Sequence, residues 1–95
     1  MVSFGEITRK ELLRKSELLK VLGHPERLAI LLLVYEEEMC VKDLMEALQI
    51  SQPKVSQHVG LMKELGILSF RKEGTRVIYK LSDPVVKEIL GILFE

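Results

Sequence analysis

The chain has 95 residues, 47% hydrophobic and 29% charged, a length and balance that describe one globular domain able to bury roughly two-thirds of its unfolded surface without disulfide staples. No apolar run nears the roughly 18 residues of a membrane span, and the charged N-terminus lacks a signal-peptide pattern. The single cysteine, Cys40, cannot form an intrachain disulfide, which fits the cytoplasmic location expected more firmly from the lack of a signal pattern.

In chain order, Glu6 to Leu22 reads as a helix with Ile7, Leu12, Leu18, Leu19 and Leu22 among charged residues, and Gly23 suits a left-handed cap at its end. His24-Pro25 starts a second helix running to about Glu37, with His24 near the cap and Pro25 in the first turn. Leu28 to Val34 is apolar nearly all round and should sit at the centre of the core; Glu36-Glu37-Glu38 marks the solvated exit. A short third helix, about Val41 to Leu48, turns Leu44, Met45 and Leu48 inward. The link Gln49-Ile50-Ser51 leaves room only for a tight turn, and two short helices so joined make a helix-turn-helix.

The fourth helix carries the most informative residues. Ser51 can cap it, Pro53 suits its first turn, and Gly66 closes it. Val55, Val59, Met62 and Leu65 draw one apolar stripe, while Gln52, Lys54, Ser56, Gln57 and Lys63 offer donors of the kind that meet base edges and phosphates. Taken alone, the segment fits a solvated amphipathic helix equally well. His58 lies between the two faces, as a bonded structural histidine or a DNA contact.

Ile67 to Lys72 and Val77 to Leu81 read as strands, and Glu73-Gly74-Thr75 supplies the glycine of a tight hairpin. Arg71, Lys72 and Arg76 crowd its tip. After a helix-turn-helix, such a hairpin is a wing that can reach phosphates or the minor groove. Charge supports this: residues 51–80 carry a net +4 and the remainder −4, within an overall balance of 14 basic and 14 acidic residues. Asp83-Pro84 caps a last helix over residues 84–94, rich in Val85, Val86, Ile89, Leu90, Ile92, Leu93 and Phe94. With the helix at 6–22 it either wraps the domain's own core or forms an apolar patch covered by a second copy; the homodimer is the favoured reading. The fold class expected is therefore mainly α with a β-hairpin, a single winged helix-turn-helix DNA-binding domain over residues 1–95.

Four ordered segments carry a resemblance to a known family: Leu22 to Leu31, Glu38 to Leu44, Ser51 to Val59, and Leu65 to Leu68 followed by Arg71, Gly74, Arg76 and Tyr79. Together they resemble the ArsR/SmtB family of winged-helix repressors. The resemblance implies a homodimer that binds a double-stranded, palindromic operator and leaves it when an effector binds. Carried over by position, Ser51, Gln52, Lys54, Ser56 and Gln57 fall on the DNA surface, Gln52 and Gln57 toward base edges, Lys54 and Lys63 toward phosphates. Arg27 is expected to pair with a carboxylate inside the domain rather than with phosphate.

The family's metal-sensing patterns are broken. Where thiophilic sensors carry Cys-x-Cys at the start of the third helix, this chain has Cys40 and Lys42; where others carry an Asp-x-His pair on the last helix, this helix has no histidine. With His24 and His58 read as separate helix-start residues, no metal site and no cofactor are expected, and the effector stays unnamed. Cys40 is either a redox switch activated by Lys42 or a small buried hydrophobe, the latter favoured. No phosphate loop, nucleophile with adjacent base or paired acids points to an enzyme; a protein-binding winged helix in a larger assembly is the competing reading.

Overall fold

A computed structural model describes all residues 1–95. The order is α1 (Arg9–Leu22), α2 (Pro25–Glu36), α3 (Val41–Leu48), α4 (Gln52–Glu64), β1 (Leu68–Glu73), β2 (Arg76–Leu81) and α5 (Pro84–Leu93). A 3-10 turn at Phe4–Glu6 precedes α1. The first helix begins later than the expected Glu6 because Thr8 caps it, accepting the Glu11 N–H at 3.1 Å.

Helix ends follow their local chemistry, with one exception. Gly23 is not left-handed (φ −77°); its N–H donates to the Leu19 carbonyl. The left-handed residue in this half of the chain is Gln49 at φ 57°, which turns α3 into α4. At the end of α4, Gly66 (φ 77°) builds a Schellman cap: Gly66 N–H donates to Lys63 and Ile67 N–H to Met62. Leu65, expected in the apolar stripe, sits in that cap and is 41% exposed, and Ile67 takes its place in the core.

The core gathers one face of each element. Ile30, Leu31 and Val34 of α2, Leu44 of α3, Val55, Val59 and Met62 of α4, Leu68 and Leu81 of the hairpin, and Val86 and Leu90 of α5 pack together. Although α2 is apolar nearly all round, only that face is fully buried; Tyr35 stays exposed. The strands pair antiparallel from Leu68 with Leu81 to Glu73 with Arg76, leaving a two-residue turn, Gly74-Thr75, with Gly74 at φ 64°. A third stretch joins them: Met39 and Tyr79 exchange backbone hydrogen bonds at 2.8 and 3.1 Å. That bridge ties the hairpin to the residues just before α3.

The terminal helices keep much apolar surface outside. In α1 only Val21 and Leu22 are buried, whereas Leu12, Leu13 and Leu19 are exposed; in α5 the exposed set is Val85, Ile92 and Leu93, followed by Phe94.

Candidate nucleic-acid interface

Burial of Val55, Val59 and Met62 fixes the rotation of α4, so its opposite side must face solvent. Ser51, as N-cap, accepts the Lys54 N–H and aligns the first turn. Gln52, Lys54 and Gln57 are exposed, Ser56 is half-buried beside them, and no acid appears on the helix before Glu64. Gln52 Nε2 donates to Ser56 Oγ at 2.6 Å. That bond occupies one amide N–H and leaves the other N–H and the Oε1, the pair that a bidentate bond to adenine uses. Gly60 lies on the same outer side, and a Cβ there would meet nothing within 4 Å. No packing inside the domain requires a glycine at that position.

Lys54 Nζ stands 3.9 Å from Glu26 Oε2 and its side chain is 62% exposed, so this ion pair is loose and water-screened. Lys63 lies at the far end of α4, its ammonium 5.1 Å from the centroid of the Phe70 ring on the hairpin. Lys72 alternates onto the hairpin face of Phe70, is exposed and makes no ion pair. The wing arginines are held differently. Arg71 is bridged to Glu38 and to Glu73. Arg76 Nη2 lies 3.3 Å from Cys40 Sγ and 3.5 Å from Asp43.

Cys40 is buried at the N-cap of α3. Asp43 Oδ2 accepts both its N–H (3.1 Å) and its S–H (3.2 Å). These bonds, the Cys40 N–H first, hold the Asp43 carboxyl below its ordinary range, helped by Arg76 and Lys42. In the same cluster the Cys40 sulfur, and after it Asp43, keep the Arg76 guanidinium more firmly protonated than usual. The thiol is unoxidised and buried, and its partners are Asp43 and Arg76 rather than Lys42.

Of the two readings of His58 the bonded structural histidine holds and the DNA contact does not, and Arg27 lacks its expected carboxylate partner. His58 does not reach the outer face: it is buried, its Nε2 is 2.9 Å from Glu26 Oε1, and its ring meets the His24 ring edge-on at 4.8 Å. Its hydrogen bond is the main cause that lowers the Glu26 carboxyl below the usual range, with Lys54 adding to it. Arg27 pairs with no carboxylate; its Nε donates to the Val21 carbonyl at 2.6 Å and its Nη1 stands 3.5 Å from His58 Nδ1. The reading of the two histidines as separate helix-start residues also fails, because α2 and α4 bring them together. No periodic signal could have shown this, since the partners lie on different helices.

A helix-turn-helix whose second helix presents amides and a lysine beside a two-stranded hairpin defines a winged helix-turn-helix protein. Residues 24–69 match the model described as "Bacterial regulatory protein, arsR family". The chain is 42% identical over 67 residues to the HTH-type transcriptional repressor SmtB of Mycobacterium tuberculosis, a match spanning 70% of this chain and 50% of that protein. The chain thus spans about half the length of that relative. It is 40% identical over 83 residues to the uncharacterized HTH-type transcriptional regulator MJ1325 of Methanocaldococcus jannaschii, covering 86% of this chain and 93% of that one. Among solved structures, HlyU from Vibrio cholerae superposes with a TM-score of 0.83 at 32% identity, covering 90% of this chain and 94% of the other. The chain belongs to the arsR family of bacterial regulatory proteins.

Proposed function

We propose that the protein is a homodimeric, sequence-specific repressor that reads a palindromic operator with α4 and steadies itself on flanking phosphates with the wing. The observation that carries this reading is the outer side of α4, where Gln52, Gln57 and Lys54 stand free of acidic neighbours except the loosely paired Glu26. Ser51, Ser56, Lys63 and Lys72 extend the same surface, while Arg71 and Arg76 must exchange their acidic partners for phosphate. The exposed apolar side chains of α1 and α5 supply the surface a second copy would cover. Two-fold symmetry then sets α4 and its mate in major-groove segments about 34–36 Å apart. No helix is long and apolar enough to cross a membrane.

A band-shift assay against the upstream promoter of the chain's own gene, run at two salt concentrations, tests the reading. Expected are sequence-dependent binding and an affinity that falls steeply with salt. Binding that ignores sequence would overturn operator recognition. Light scattering at tens of micromolar should return twice the chain mass, and a monomer mass would overturn the interface.

A further inference from the structure

His24, at the N-cap of α2, Glu26 in its first turn, and His58 of α4 each offer a ligand atom, and these atoms all lie within 4.8 Å of one another. His58 is buried, while His24 and Glu26 are half-buried and keep an edge to solvent. We propose that these three side chains bind a divalent transition cation of the zinc type, the metal replacing the proton shared by Glu26 and His58. The site is separate from Cys40 and from α5.

The donor set suits that cation. Two imidazoles and a carboxylate bind zinc-type ions and leave a fourth position for water, and the lack of thiolate disfavours softer metals. With bonds of about 2.0–2.1 Å, ligand atoms in a tetrahedral site stand roughly 3.4 Å apart. The Glu26–His58 pair at 2.9 Å therefore opens slightly, and the longest separation, 4.8 Å, closes by a side-chain rotation of Glu26 or His24. His58 stays fixed by burial.

A histidine that binds the metal through the Nε2 lone pair carries its ring proton on Nδ1, a change from the tautomer its present hydrogen bonds imply. Two contacts are lost in return. His24 Nδ1 no longer accepts the Glu26 N–H, and Arg27 Nη1 turns away from His58 Nδ1.

Glu26 also connects the site to the outer face of α4, because its other oxygen is the one near Lys54 Nζ. A bound cation takes over the Glu26 charge, releases Lys54 to phosphate and adds positive charge beside the helix. Resting on the operator reading, this makes zinc strengthen DNA binding by about fivefold, at the lower end of usual coupling between sites.

The test is a zinc titration of the isotope-labelled full chain, following the histidine ring nitrogens by NMR. With only two histidines, each ring is read singly. Both Nε2 signals should move together and saturate at one equivalent. Glu26→Gln and His24→Ser, the latter keeping a capping hydroxyl, should each weaken zinc binding at least as much as the roughly 10–100-fold typical of losing an outer partner. Cys40→Ser should leave it unchanged. Unmoved ring signals, or binding lost only in Cys40→Ser, would overturn the site. This titration needs no DNA, so it decides the site even if the operator reading fails. In the band shift, Glu26→Gln without metal should already bind operator more tightly than metal-free wild type, because Lys54 is released, and should gain less from added zinc; weaker wild-type binding on zinc addition would overturn the coupling.

Discussion

The fourth helix and the wing are both basic, and the residues around their positive charges differ. On α4 the polar side chains that face outward have few partners: Gln57 makes no hydrogen bond to the protein, Gln52 spends one N–H on Ser56, and Lys54 is loosely held. On the wing, Arg71 and Arg76 are tied to Glu38, Glu73 and Asp43, and only Lys72 and Lys80 are without such partners. Charge counting makes the wing the stronger electrostatic element. The structure reverses the order, because an arginine already paired must give up its carboxylate before a phosphate gains anything from it.

The largest expected effect lies on α4. Gln52→Ala and Gln57→Ala should each weaken operator binding by about 1–3 kcal/mol and relax the preference at one base pair, read by band shifts on single-base operator variants. Equal losses on every sequence would show that neither amide reads bases and would erase the contrast with the wing.

Gly60→Ala comes next. With open space around the new Cβ, the substitution should stabilise the free protein by about 0.5–1 kcal/mol in urea unfolding, through better helix propensity. If operator affinity falls while stability rises, DNA approaches the helix closely at that point.

A smaller effect separates the free from the paired cations. Lys54→Ala and Lys72→Ala should each reduce the slope of log affinity against log salt by about one, whereas Arg71→Ala should reduce it by less. A full unit for Arg71→Ala would mean that its carboxylate partners yield to DNA without penalty.

The smallest concerns the wing's anchor. The Asp43 carboxyl is lowered in the folded state, so its contribution is present above the ordinary carboxylate range and is lost as pH falls through its folded value. Asp43→Asn should therefore be less stable than wild type at neutral pH, and the gap in urea midpoint should close below about pH 4. A gap that persists in acid would mean the carboxylate charge is not what holds α3 to Arg76.

Much of the fold was legible from neighbours in the chain. Ser51 and Asp83 as caps, Pro53 in the first turn, the stripe of Val55, Val59 and Met62, and the glycines at 66 and 74 all act within a few residues of themselves. The exceptions are also local in origin. Thr8 shortened the first helix, and Gln49 rather than Gly23 took the left-handed conformation, because a single residue can adopt it when the following turn demands it.

For the candidate site, sequence alone determined which residues α4 could offer to solvent, since burial of one helical stripe dictates the other. Only the tertiary structure decided what each of those residues meets. It buried His58 against Glu26 and His24, sent Arg27 to a backbone carbonyl, bridged Met39 to Tyr79 and tied the wing arginines to acids from before and within α3. Helical and strand periodicity is written in steps of two to four residues. The partner of a long charged side chain depends instead on which distant segments the core brings within a few ångströms, and no spacing in the chain encodes that.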